Sequence, residues 1–133
     1  MQEEALLFAN EAFYVAFAGR DLPAMVEIWA LDEPVTCIHP GWKPLIGRDE
    51  VLESWSNILG NPDAPRIEFR SPKAHIAGNV GWVTCYEVLK EGVLVATNLF
   101  VFEAGRWRLA HHQSSPVAQA PDFEPEIKAR RLQ

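Results

Sequence analysis

The sequence has few cysteines, no long apolar run and no leader-like N-terminus. Among its 133 residues only Cys37 and Cys85 are cysteines, and both lie within apolar runs. Free buried thiols are therefore expected rather than a disulfide framework. No window approaches the roughly 18 consecutive apolar residues of a membrane helix. The first residues, MQEEALLFANEAF, lack the basic flank of a signal peptide. These absences predict a cytoplasmic protein with no membrane partner.

Basic residues are scattered, and the formal net charge is −6. Apart from Arg130-Arg131 there is no basic pair that could track a phosphate backbone, so a nucleic-acid partner is not expected. The sequence also has no glycine-rich phosphate loop, no nucleophile elbow and no metal-binding helix pair. We therefore predict no cofactor and no metal.

Aromatic residues, in contrast, are plentiful. Five tryptophans and seven phenylalanines occur in a chain long enough for one domain, and 48% of the residues are hydrophobic. Because aromatic side chains bury more area than others, the core or the wall of a cavity should be rich in them.

Apolar spacing predicts three helices in the first half of the chain. Apolar residues recur every three or four positions over residues 3–18, and Gly19 supplies a stop. Asp21 is a good N-cap for a second helix that ends near residue 31. A third helix is predicted over residues 48–59, after a short strand at 34–39.

The second half of the chain predicts strands joined by tight turns. Runs suited to strands cover about residues 66–77, 80–90, 93–103 and 106–115. The connections between them are short and contain glycine, which is typical of hairpins in an antiparallel meander. Helices followed by strands indicate an α+β domain in which the helices pack on one face of a curved sheet.

The predicted strand at 93–102 is apolar on both faces. Val93, Val95 and Val101 lie on one face, whereas Leu94 and Phe100 lie on the other. A sheet that is buried on one side only should alternate with polar residues. We therefore expect a homodimer through the outer sheet face; coverage by the C-terminal tail is the alternative.

The order of elements resembles the nuclear transport factor 2-like superfamily. The stretches FYVAFAGRDLPAMVEIWA, HPGW, IGRDEVLESW and GRWRLAHHQSSP are similar to its SnoaL-like and ketosteroid isomerase-like branch. The resemblance implies a cone-shaped, curved antiparallel sheet wrapped around three N-terminal helices and enclosing a deep pocket. It places this domain at residues 1–116 and leaves 117–133 as an extended tail that could end in a helical turn.

The resemblance also assigns possible catalytic positions. The ketosteroid isomerase branch uses a carboxylate base together with a tyrosine and a protonated carboxylic acid as oxyanion donors. By position, His39 replaces the base, Tyr14 matches the tyrosine and Asn98 replaces the acid. A neutral imidazole can still accept a proton, and Tyr14 and Asn98 can both donate hydrogen bonds.

Each of these residues also has a purely structural interpretation. His39 could bind a ligand or only pack, Tyr14 could donate to a backbone carbonyl, and Asn98 could stabilise an irregularity in its strand. In the last strand, alternation points His111 toward the pocket and His112 toward the outer face. Adjacent histidines on opposite faces cannot chelate one metal ion together.

Aromatic residues are the candidate ligand-binding walls, with core packing as the alternative for each. Together with His111, the predicted binding residues are Trp29, Trp42, Trp55 and Tyr86. Two functions remain open. The domain binds a hydrophobic small molecule, with or without isomerase-, cyclase- or hydrolase-type acid/base chemistry, or it is a non-catalytic dimerisation or association domain with a vestigial pocket.

Overall fold

The computed structural model describes residues 2–123, which form three helices followed mainly by strands. Helix α1 covers Gln2–Ala18, α2 covers Leu22–Ile28 and α3 covers Arg48–Gly60. Acidic residues occupy the first turn of α1 and of α3, where they complement the positive end of the helix dipole. The side chain of Asp21 accepts a hydrogen bond from the Ala24 amide and so caps α2 as predicted.

The strands are β1 (Thr36–Ile38), β2 (Leu45–Ile46), β3 (Glu68–Ala77), β4 (Val80–Leu89), β5 (Gly92–Glu103) and β6 (Arg106–Pro116). Strands β3 to β6 form the predicted meander, and Gly78 and Gly105 take positive φ angles in its turns. The two-residue strand β2 was not predicted.

All six strands form one sheet in the order β2-β1-β6-β5-β4-β3. Neighbouring strands are antiparallel except β1 and β6, which run parallel. The sheet is curved and unclosed, and the helices pack against its inner face. The predicted α+β cone is therefore confirmed, with the parallel β1–β6 pair as a detail that sequence did not supply.

Large side chains pack closely in one half of the cone, which we call the filled half, and a hollow of about 350 Å³ borders it beside Phe100. The members that define it have no exposed surface: Leu6, Met25, Trp29, Phe100 and Leu109. They come from α1, α2, β5 and β6 and the residue after α2, so burial here joins the helices to the middle of the sheet.

The chain after β6 is described only as far as residue 123. The Val117 amide donates to the Val93 carbonyl, and the Phe123 ring lies 5.5 Å from the ring of Tyr86. The predicted helical turn at the end of the tail lies outside the described residues. The boundary at residue 116 stays a prediction.

Candidate functional site

The other half of the cone contains a cavity of about 370 Å³, which we call the cone pocket. Its apolar wall is contributed mainly by α1, α3 and the strands near them: Phe17, Trp42, Trp55, Ile58, Ile67 and Leu94. Four polar side chains also line it: His39, Glu87, His112 and Ser114. A mostly apolar cavity with a few converging polar groups is the usual form of a small-molecule site.

His39 follows β1 directly and reaches the pocket wall, as the sequence predicted. Its Nε2 lies 3.0 Å from Ser54 Oγ, whose hydroxyl donates to the Val51 carbonyl. Because that hydroxyl proton is already used, Nε2–H is the donor to Ser54 and the lone pair is on Nδ1. Burial lowers the pKa of His39 to about 4, so the ring is neutral at neutral pH.

Trp42 and Trp55 enclose the His39 ring. Both indoles meet it edge to face, with ring centroids 4.8 Å and 4.9 Å away. Trp55 is buried, whereas Trp42 is 49% exposed at the mouth of the pocket. The two predicted wall positions therefore do line the cavity, and Pro40-Gly41 form the turn between His39 and Trp42.

A β-bulge decides which residues of β6 face inward. Leu99 pairs with His111 but Phe100 pairs with Leu109, which leaves Ala110 without a partner on β5. The extra residue reverses the alternation after Leu109. His112 is consequently buried on the pocket wall, and His111 is turned away from it.

The prediction that His111 faces the pocket and His112 the outer face is therefore wrong. His111 Nδ1 lies 2.6 Å from Thr36 Oγ1, and its Nε2 lies 3.3 Å from Gln113 Oε1. Simple alternation failed because nothing in the sequence around Ala110 signals a bulge.

Tyr86 and Trp29 do not line the cone pocket either. In β4 the buried positions are Gly81, Val83, Cys85 and Glu87, so Tyr86 lies on the outer face, where it contacts Phe123. Trp29 has no exposed surface and packs in the filled half. Trp29 therefore packs in the core, which was the alternative interpretation for each of these aromatic residues.

Tyr14 and Asn98 are buried behind the pocket and not on its wall. The Tyr14 hydroxyl donates to Glu87 Oε2 at 2.6 Å. The Asn98 amide donates to Asn10 Oδ1 at 2.8 Å and to the Tyr14 hydroxyl oxygen at 3.1 Å. Their donors are used within the protein, so these residues hold other polar groups in position.

The same network fixes the tautomer of His112. Since the Asn98 amide nitrogen is a donor, its Oδ1 accepts from His112 Nδ1 at 2.6 Å. The lone pair of His112 is then on Nε2, which lies 4.0 Å from Glu87 Oε2. Burial, then the nearby histidines, lower the pKa of His112 to about 3, and a carboxyl at 4.0 Å does not offset the cost of burying the charged ring.

Glu87 is the acidic residue that sequence reasoning missed. Its side chain is only 1% exposed, and burial raises its pKa while the Tyr14 hydrogen bond opposes that rise. The pKa of Tyr14 is raised in turn, first by burial and then by the neighbouring Glu87. The signal was available, because Glu87 is the one charged residue among the inward positions of β4.

Arg20 holds the rim of the pocket. This residue has a positive φ of 52° after α1, and its guanidinium donates to the backbone carbonyls of Asn61, Pro62 and Ala64. The next residue, Pro65, lines the cavity. One side chain therefore fixes the segment that connects α3 to β3 at the pocket mouth.

Comparisons with known proteins identify the family of the chain. The SnoaL-like domain family matches residues 7–119. The F-box protein SKIP8 of Arabidopsis thaliana is 30% identical over 113 residues, which is 84% of this chain and 49% of SKIP8. The chain thus spans about half the length of that curated relative.

Solved structures give the same fold. A candidate dehydratase of the NTF2-like family from Streptomyces avermitilis is 31% identical, with a TM-score of 0.81 over 88% of this chain and 96% of its own. A candidate calcium/calmodulin-dependent protein kinase type II association domain from Thiobacillus denitrificans is 32% identical, with a TM-score of 0.75 over 82% and 92%. In the part of the chain that the structure describes, no helix is long and apolar enough to cross a membrane. The chain belongs to the SnoaL-like domain family, within the nuclear transport factor 2-like superfamily.

Proposed function

We propose that this domain binds a small, largely apolar molecule in the cone pocket. The observation that carries the proposal is the cavity of about 370 Å³ beside His39, where four polar side chains converge among apolar walls. Vestigial pockets are expected to be closed by side chains, because an empty apolar cavity costs stability. Here the space persists, and polar groups point into it from the end of β1, from β4 and from β6.

We propose further that His39 can act as a proton acceptor for a bound molecule. Its ring is neutral at neutral pH, and Ser54 fixes its orientation. Proton removal is the first step shared by isomerase- and dehydratase-type chemistry. Tyr14 and Asn98 would contribute by positioning Glu87 and His112, since neither donor faces the cavity.

A thermal-shift screen of small neutral aromatic and aliphatic compounds tests the binding proposal. A ligand at about 100 times its Kd should stabilise the wild type by about 2.7 kcal/mol, which is a clear rise in Tm. His39→Ala should reduce the shift, whereas His75→Ala, at an exposed position on β3, should not. Leu94→Trp, which fills the cavity from its wall, should abolish the shift without unfolding the domain.

Two results would contradict the binding proposal. One is a wild type that no compound stabilises. The other is a ligand whose shift survives Leu94→Trp, because that ligand would occupy some other surface.

A second candidate function is self-association through the outer sheet face. Apolar residues pair across β4 and β5 on this face, with Trp82 opposite Leu99 and Tyr86 opposite Val95. Val95 is 38% exposed. The similar association domain from Thiobacillus denitrificans supports a role of this kind. We propose a homodimer in which this face is covered by a second copy.

Sedimentation of Val95→Glu tests the homodimer. The wild type should sediment as a dimer and the variant as a monomer, because a charge cannot be buried unpaired in an interface. Val15→Glu introduces the same charge at an exposed site on α1 and should leave the dimer intact. A monomeric wild type would refute the proposal. Buried, unpaired Cys37 and Cys85 also support the proposed cytoplasmic location, where thiols stay reduced.

A further inference from the structure

Glu87 is a buried carboxyl group on the wall of the cone pocket. Tyr14 donates to its Oε2 at 2.6 Å, and the neighbouring Ser114 hydroxyl also lowers the pKa of the carboxyl group. The side chain lines the cone pocket and is 1% exposed. Because burial disfavours the charged form of this carboxyl group, a bound molecule that places a positive charge beside it would be stabilised by that contact.

The protein does not supply a cation for this carboxyl group. No lysine or arginine belongs to the described wall of the pocket. Lys43, Arg66 and Lys90 follow or precede wall residues in sequence, but all three are exposed. His112 comes nearest, yet it is neutral and presents the lone pair of Nε2. Burial disfavours the charged form of Glu87, and a paired cation would stabilise that form; none of these groups provides one.

The polar groups near Glu87 are mainly acceptors. The Glu87 carboxyl group and His112 Nε2 can both accept hydrogen bonds, and their nearest atoms, Oε2 and Nε2, lie 4.0 Å apart. Ser114 Oγ is buried on the same wall, and its hydroxyl lies near enough to Glu87 to lower the pKa of that carboxyl group. A ligand with several N–H groups can donate to these acceptors. A carboxylate or phosphate would instead offer further acceptors and no donor.

Aromatic rings form the wall around these acceptors. Phe17 and Trp55 meet edge to face at 5.2 Å, and Trp42 closes the mouth beyond His39. Aromatic faces attract organic cations, most strongly where water is excluded. A buried carboxyl group combined with tryptophan walls is therefore suited to an ammonium group on an apolar body.

We propose that the cone pocket selects a molecule that carries a protonated amine on an aryl-sized apolar body. The ammonium group donates to the Glu87 carboxyl group and to His112 Nε2, and the apolar body packs against Trp42 and Trp55. This inference rests on the proposed function, because it specifies the ligand class of the same pocket.

The surface beside the pocket favours the same charge. A shallow hollow on the other side of Trp42 and Ser54 contains Asp49, Glu50 and Glu53 of α3. With a net charge of −6, the chain attracts cations and repels anions at long range. These carboxylates do not form the site, but they raise the local concentration of a cationic ligand at its mouth.

Three probes of matched shape test the inference: phenylpropylamine, phenylpropanol and phenylpropanoate. Their affinities for the wild type are measured by calorimetry at neutral pH and low salt. The amine should bind at least roughly tenfold more tightly than the alcohol, because it alone pairs with the buried carboxyl group. The carboxylate should bind most weakly.

The variant Glu87→Gln then tests the assigned residue. The amide keeps the shape and can still accept from Tyr14, so the ratio of amine to alcohol affinity should fall roughly tenfold, toward one. Glu91→Gln, the same substitution in the exposed β4–β5 turn, should leave the ratio unchanged.

Each result has a definite meaning. An amine preference that survives Glu87→Gln overturns the assignment, and so does an alcohol or carboxylate that binds as tightly as the amine. In the latter case the proposed function still stands, because the pocket binds an apolar molecule. Binding of none of the three probes overturns the inference and weakens the proposed function with it. The comparison on the wild type does not depend on any variant folding.

Discussion

The two halves of the cone share strands β5 and β6, but one half is packed with apolar side chains and the other contains a pocket with polar groups on its wall. In the filled half, β5 and β6 present Phe100 and Leu109, which have no exposed surface. In the half with the cone pocket, the same two strands present Leu94, His112 and Ser114. The bulge at Ala110 lies between them, so a single extra residue separates apolar packing from a polar wall.

The largest expected difference between the halves is in the cost of removing a side chain. Leu109→Ala should lower the free energy of unfolding by about 2–5 kcal/mol, because this side chain has no exposed surface and its removal leaves a cavity in dense packing. Leu94→Ala, on the inner face of the neighbouring strand but beside the cone pocket, should cost about 1–2 kcal/mol. Denaturant unfolding monitored by tryptophan fluorescence measures both. Equal costs would mean that the pocket is filled in solution.

Acid should destabilise the pocket half through its histidines. Unfolded histidines titrate near 6.5, whereas His39 and His112 in the fold resist protonation down to about 4 and about 3. Between these values the unfolded chain binds more protons, so the free energy of unfolding falls as pH falls. At about pH 4.5 the loss should reach about 2–3 kcal/mol for each histidine.

Glu87 acts in the opposite direction. Its pKa is raised in the fold, so the carboxyl group binds its proton more readily there and partly offsets the histidines. Unfolding curves recorded from neutral pH to about pH 4.5 give the slope of the free energy of unfolding against pH. His112→Gln should flatten it, whereas His75→Gln, on the exposed part of β3, should not. A slope that His112→Gln leaves unchanged would contradict the buried neutral ring.

A smaller effect is expected from the network behind the pocket. Asn98→Ala leaves His112 Nδ1–H and Asn10 Oδ1 without partners and should cost about 1–3 kcal/mol. Thr97→Ala, one residue earlier and exposed, should change stability by no more than about 0.5 kcal/mol. NMR titration of the His112 ring provides a second measurement, because its pKa should move only in the Asn98 variant. Equal costs for the two variants would remove Asn98 from the network.

Sequence patterns predicted the elements of the fold because periodicity and glycine turns are local. The helices begin and end within about three residues of the predicted bounds, and the meander has the predicted turns. β2 was missed because two residues carry no periodicity. The pocket itself came from the resemblance to a known family and not from any pattern in the residues.

The candidate site was less predictable, because it depends on which way side chains point. His39, Trp42 and Trp55 were placed correctly on the wall, since a strand end and a helix face fix their directions. The predicted orientations of His111 and His112 were reversed, because β6 contains a bulge that no local residue signals. Glu87 was overlooked although strict alternation along β4 puts it on the same face as the buried Cys85.

Arg20 has a consequence for the rate at which a ligand enters and leaves. Its guanidinium holds the segment of Asn61, Pro62 and Ala64 only through backbone carbonyls, so any sequence in that segment can be held in the same way. Moving this segment would break those hydrogen bonds. We therefore expect Arg20 to affect the residence time of the proposed ligand, whereas the groups inside the pocket affect how tightly it is held.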